Sequence, residues 1–215
     1  MRREARGLRI NDLTDVDRTF LTLDGPSAVG KTTVCEAFGA WLSAYGINSL
    51  LTATPSVSMI GTLARLNTHE ISGHALSCLV AADRYHHYET VIEPALTTGT
   101  AVICDRYVPS ALALDRIDGV SPEFIANLYA NLPAPRLAFV LVAEPAVCRS
   151  RATDRAAMYS RFHSLDLLHH ERERALFEEA VHILDRWTYP VRRVDIGEMA
   201  PQAIVEKIAG MAGFR

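Results

Sequence analysis

Nine consecutive residues constrain this chain more than any other stretch: Gly25-Pro26-Ser27-Ala28-Val29-Gly30-Lys31-Thr32-Thr33. They match the pattern G-x-x-x-x-G-K-[ST]. An apolar, β-prone run, Thr19-Phe20-Leu21-Thr22-Leu23, precedes them. Val34, Phe38, Trp41, Leu42 and Tyr45 follow at helical spacing. Strand, glycine loop and helix form a unit in which successive backbone N–H groups turn inward and the helix start adds unpaired donors, a ready anion site. Lys31 is then expected at the β/γ-phosphates of a nucleoside triphosphate and the Thr32 hydroxyl at Mg²⁺. Gly25 through Thr33 is therefore the expected ATP-binding segment.

A chain of 215 residues has room for one α/β domain with a full core. Residues 1–17 read as a polar, flexible tail and 18–215 as a single domain. Apolar content of 49% and charged content of 22% describe a globular chain. A net charge of −3 provides no general basic field, so no nucleic-acid partner is expected. No apolar run approaches a membrane span, and no apolar h-region follows the arginines near the amino terminus. Cys35, Cys78, Cys104 and Cys148 lie far apart in apolar patterns, which suits reduced thiols in the cytoplasm. No histidine has zinc-ligand spacing to a second ligand set.

Apolar periodicity and turn residues place the remaining elements. Strands are expected over Ile47–Thr54, Thr100–Cys104, Leu137–Ala143 and Val191–Ile196. A partly helical segment covers Ile60–Leu66, and a long helix runs from Leu76 to about Leu96, bent or restarted by Pro94. Ser121-Pro122-Glu123 has the cap, N1 proline and first-turn acid of a helix expected to continue through Leu132. Further helices are expected from Pro145, over Leu165–Trp187 and over Ala203–Met211. Alternating strands and helices give a three-layer α/β/α fold with a doubly wound, mostly parallel sheet of five strands. Ligands in such sheets sit beyond the carboxyl ends of the strands.

Two features fall at that edge. Cys104-Asp105-Arg106-Tyr107 leaves a strand there, so Asp105 is expected to hold a Mg²⁺-bound water and Arg106 to clamp a phosphate. The polar segment from about 149 to 163 carries Arg149, Arg151, Arg155 and Arg161. It reads as a lid that brings positive charge to a migrating phosphoryl group once both substrates are in place.

Ala82-Asp83-Arg84, Val102-Ile103-Cys104-Asp105-Arg106-Tyr107, Ser110-Ala111-Leu112-Ala113 and Arg161-Phe162, in that order after the loop, resemble thymidylate kinases from about Phe20 to Met211. The resemblance implies Mg²⁺- and ATP-dependent phosphorylation of dTMP, usually in a homodimer. It implies an acceptor site drawn from Arg84, Arg106, Val80, Tyr107, Ser110 and Asp115. Arg84 would face the base and Arg106 the acceptor phosphate, while Arg151, Arg155 or Arg161 would serve the transferred phosphate. Lys31, Asp105 and Arg106 complete the implied catalytic set. Ala28 stands where some members carry a loop arginine, so the catalytic arginine is expected from the lid.

Departures from the family pattern fall on the acceptor side. Ser27 replaces the loop acid that serves the sugar 3′-hydroxyl, and Ala53-Thr54-Pro55 replaces Arg-Glu-Pro. Val80 matches the phenylalanine that stacks on thymine, and Leu114-Asp115 matches the pair near the base. Losing a stacking ring weakens a base contact by about 1–3 kcal/mol. Three readings stay open: a thymidylate kinase with an altered pocket, a related kinase acting on another nucleotide, nucleoside or small metabolite, and a nucleotide-binding protein without catalysis. Thr54 occupies the place where related nucleoside kinases carry a glutamate base; Asp24 and Asp105 remain candidate bases.

Overall fold

The structure is a computed structural model that describes residues 19–153, 162 and 164–214. The expected tail and the lid arginines Arg155 and Arg161 lie outside the described residues. Five strands form the sheet: β1 Phe20–Asp24, β2 Ser49–Ala53, β3 Ala101–Asp105, β4 Leu137–Val142 and β5 Val191–Asp195. Their order is β2-β3-β1-β4-β5, and all four pairings are parallel. The sheet is thus wholly rather than mostly parallel.

Helices cover both faces, which explains the continuous apolar character of the central strands. Phe20, Val102, Cys104, Ala138 and Val140 point into one core, shared with Leu112, Ile125, Phe177 and Leu184. Leu21, Leu23, Ile103, Phe139 and Leu141 point into the other, shared with Phe38, Leu42, Ile204 and Ile208. The helices are α1 Lys31–Ala44, α2 Met59–Leu66, α3 Gly73–His87, α4 Glu93–Thr97, α5 Val108–Leu114, α6 Pro122–Leu128, α7 Pro145–Thr153, α8 Leu167–Arg186 and α9 Pro201–Met211.

Differences from the expected elements have local causes. The long helix before β3 is split: a π turn, Tyr88–Ile92, joins α3 to α4. Pro94 sits in the first turn of α4, where its missing N–H costs nothing. Helix α6 starts on Ser121, whose hydroxyl accepts from the Phe124 N–H, but it stops at Leu128 rather than Leu132. Pro133 disfavours a helical conformation at Leu132, whose N–H turns back to the Tyr129 carbonyl at 3.0 Å. Helix α5 follows directly after Tyr107 and was not expected. Helix α7 extends to Thr153, so Arg149 and Arg151 are helical residues and not part of an irregular insertion.

Candidate active site

Strands β1 and β3 are neighbours in register, Leu23 beside Asp105, so their carboxyl ends release the glycine loop and Asp105-Arg106 side by side. Gly25 has φ 141°, and a Cβ there would lie 2.3 Å from the Leu141 carbonyl oxygen. Only glycine lets the loop cross the end of β4 so closely. Ala28, at φ 58°, also takes the left-handed conformation as the loop curls toward the start of α1. The Lys31 ammonium donates to the Gly25 and Pro26 carbonyls at 2.9 and 2.8 Å, folding its side chain over the loop. Burial, followed by the nearby Arg106 guanidinium, lowers the Lys31 pKa to about 8 against the pull of Asp105, Glu173 and Asp24.

Thr32 donates to Asp105 Oδ2 at 2.8 Å, and Asp105 Oδ1 is buried with no hydrogen-bond partner among the described residues. A hydroxyl and a carboxylate with one oxygen to spare are hard donors that suit Mg²⁺. No cluster of three or more His, Cys, Asp or Glu side chains able to hold a metal occurs among the described residues.

A cavity of about 250 Å³ opens from this point. Ser27, Asp105 and Arg106 wall its phosphate-loop end, and Leu76, Val80, Leu114 and Asp115 wall the far end. Arg84 and Ser110 also line it, so five of the six expected acceptor residues meet in one space. Arg106 Nη1 is buried without a hydrogen-bond partner among the described residues. Arg84 is buried, with Nε donating to Thr54 Oγ1 at 3.2 Å and Nη1 donating to the Tyr129 hydroxyl. Burial opposes its charge, but Tyr129 and Asp115 more than offset this and raise its pKa.

Tyr107 is the sixth, and the structure corrects its place. Its ring is in the core, edge-on to Phe20 with centroids 5.1 Å apart, and its hydroxyl donates to the Pro133 carbonyl at 3.0 Å. Its backbone N–H, not its ring, serves the site, by donating to Asp24 Oδ1 at 2.8 Å. Asp24 is 0% exposed. Its Oδ1 also accepts from the Ser110 N–H and hydroxyl, and Oδ2 accepts from Thr22. Three of these donors come from the turn from β3 into α5 and one from β1, so the carboxylate ties that turn to the end of β1.

The expected lid arginine Arg151 lies against the loop, with Nη1 donating to the Val29 carbonyl at 2.8 Å. Arg149 is exposed. Two participants were absent from the expected site. Glu173 of α8 is 1% exposed; its carboxylate accepts from the Ser27 N–H at 2.9 Å and the Ser27 hydroxyl at 3.0 Å. A carboxylate is therefore present at the loop position that lacks an acid, delivered from another element. Its signal was the helical spacing His170-Glu173-Phe177-Ala180-Leu184, which puts Glu173 on the buried stripe of α8. The second participant is Thr54, which touches both Arg84 and Arg106.

Comparison with known proteins identifies the family. The family model described as thymidylate kinase matches residues 23–194. A probable thymidylate kinase of Pyrococcus abyssi is 37% identical over 130 residues, 57% of this chain and 63% of that protein. One of Pyrobaculum aerophilum is 29% identical over 192 residues, 86% of this chain and 97% of that protein. A thymidylate kinase of Clavibacter michiganensis is 32% identical over 166 residues, covering 74% and 79%. The match spans under two thirds of the Pyrococcus relative and nearly all of the Pyrobaculum one. With the phosphate loop, the Asp105-Arg106 strand end and the shared cavity in the positions described, the chain belongs to the thymidylate kinase family.

Proposed function

We propose that this protein transfers the γ-phosphoryl group of ATP to a nucleoside monophosphate, with dTMP as the first candidate acceptor. The observation that carries this reading is the Arg106 guanidinium, its Nη1 buried with no hydrogen-bond partner among the described residues, in the cavity that begins at the phosphate loop. A cation so placed suits an acceptor that brings its own phosphate. Such a phosphate is already an anionic nucleophile, so no carboxylate base is required.

The loop amides and Lys31 bind the β/γ-phosphates, and Lys31 exchanges its two carbonyl partners for phosphate oxygens. Mg²⁺ held by Thr32 and Asp105 would neutralise charge on the β- and γ-phosphates. Arg106 holds the acceptor phosphate so that its oxygen attacks the γ-phosphorus in line. The bond from the γ-phosphorus to the bridging oxygen breaks, and ADP leaves. Arg151, with Arg155 and Arg161, supplies charge to the transferring group. Arg84, Val80, Ser110 and Asp115 form the remainder of the acceptor site.

A second acceptor is favoured by one specific observation. The far wall is aliphatic at Leu76, Val80 and Leu114, and it carries the Asp115 carboxylate. A nucleotide that stacks less and donates more than thymine would suit that wall.

Met59, Leu63 and Leu66 recur on one face of α2 and are exposed, Met59 at 88%, with Val57 beside them. This apolar row supports a homodimer. Cys35, Cys104 and Cys148 are buried free thiols, Cys78 is an exposed one, and no described helix is long and apolar enough to cross a membrane. The buried free thiols suit a reducing compartment such as the cytoplasm, and the reading takes residues 18–215 as one kinase domain.

Substitution separates the two substrates. Arg106→Ala should raise the KM for the acceptor far more than that for ATP, and Lys31→Ala should remove most turnover with the fold intact. Equal effects of Arg106→Ala on both KM values, or near wild-type turnover in Lys31→Ala, would overturn the reading.

A further inference from the structure

We infer that Thr54 is the positioning residue of the acceptor site, one neutral hydroxyl that sets both Arg84 and Arg106. The inference rests on the phosphotransfer reading above. Thr54 is 2% exposed and lines the cavity just past the end of β2. Its N–H donates to the Asp105 carbonyl at 3.0 Å, which extends the β2–β3 ladder by one rung. Its hydroxyl donates to the Arg106 carbonyl at 2.7 Å and accepts from Arg84 Nε at 3.2 Å. A threonine hydroxyl has one proton to give, and here it goes to Arg106 while Arg84 occupies a lone pair.

The bond to Arg106 matters because of that residue's backbone. Arg106 has φ 72°, a left-handed conformation that L side chains avoid. The conformation is held from several sides: Arg106 N–H donates to the Leu23 carbonyl at 2.9 Å, and the next N–H, of Tyr107, donates to Asp24. The orientation of the Arg106 carbonyl is fixed by Thr54, with the weak Cys104 thiol at 3.3 Å as the second donor among the described residues. Without the hydroxyl, the peptide after Arg106 can relax and carry the guanidinium off its line into the cavity. Arg84 would lose a partner in the same step. Because the group is uncharged, it orders two cations without neutralising either, so the cavity keeps its positive charge for an anionic acceptor.

The test is steady-state kinetics with ATP and dTMP on wild type, Thr54→Val and Thr54→Ser, with thermal melting of each. Thr54→Val keeps the shape and removes the hydroxyl; it should raise the dTMP KM at least about tenfold with ATP KM close to wild type, and lower Tm by no more than about 2–12 °C. Thr54→Ser keeps the hydroxyl and should restore the dTMP KM to within about threefold of wild type. An unchanged dTMP KM in Thr54→Val overturns the inference. So does a parallel rise in ATP KM with a larger fall in Tm, which marks a structural role, or a serine variant as impaired as the valine one. If dTMP is inert, the same comparison is run with the monophosphate that wild type does convert; wild type inert toward every nucleoside monophosphate would instead remove the phosphotransfer reading itself, and this inference with it.

Discussion

Lys31 should couple triphosphate binding to pH. In the free protein its ammonium is buried against the loop carbonyls, and burial together with Arg106 lowers its pKa to about 8. Triphosphate oxygens favour the charged form, so the nucleotide binds the protonated lysine. Below about pH 8 the lysine is already charged and affinity is level; above it, binding must draw a proton from solvent. One pH unit past the pKa leaves about a tenth of the lysines charged, so affinity should fall roughly tenfold between about pH 7 and pH 9. The nucleotide's own phosphates are ionised throughout most of that range. Calorimetric titration of ATP in two buffers of different ionisation enthalpy near pH 9 should show net proton uptake. Lys31→Arg cannot deprotonate and should bind with a flatter pH profile. A level wild-type profile, or an equal decline in Lys31→Arg, would refute the argument. The same shift acts on stability with a definite sign. The folded pKa lies below the ordinary lysine value of 10.5, so this group destabilises the free protein at neutral pH, and the penalty is relieved as pH rises from about 8 toward 10.5.

Glu173→Ala should strip the acceptor from the buried Ser27 N–H, while the Ser27 hydroxyl keeps the Phe162 carbonyl at 3.3 Å; it should cost about 1–3 kcal/mol, a fall in Tm of about 2–12 °C by calorimetry, with weaker ATP binding. A melting curve like that of wild type would show that the contact between α8 and the loop does not hold the site. Asp24→Asn keeps an oxygen for the Tyr107 and Ser110 donors, and the Thr22 hydroxyl can reverse toward an amide. It should lose less than about tenfold in kcat, whereas removing a general base costs about a hundredfold or more. A loss of that larger size in a well-folded variant would make Asp24 the base.

The sequence made the phosphate half of the site legible because its parts are contiguous or end a strand. The loop is one unbroken run, and Asp105-Arg106 closes a run of apolar residues whose direction alone puts it at the carboxyl edge. The five-strand count and the parallel class followed from alternation, although the split at Tyr88–Ile92 and the short helix α5 did not. The family resemblance implies an acceptor role for Tyr107, the residue after Arg106. The left-handed φ of Arg106 redirects the chain there, and the tyrosine ring turns into the core against Phe20. Glu173 lies 146 residues from Ser27, and no local pattern announces that contact. Thr54 is marked in sequence only as a departure, in the place of a family glutamate; its contacts appear when α3 and the end of β3 bring two guanidine-bearing residues to its hydroxyl.

The measurement closest to the central claim is product analysis of ATP incubated with the protein, Mg²⁺ and each of a panel of nucleoside monophosphates and nucleosides, with a blank lacking acceptor. The account predicts that ATP is consumed with formation of ADP and a nucleoside diphosphate, dTDP first among them, that nucleosides stay unphosphorylated, and that Lys31→Ala abolishes the reaction. Tight ATP binding with no monophosphate converted, or conversion of a nucleoside in preference to every monophosphate, would contradict it.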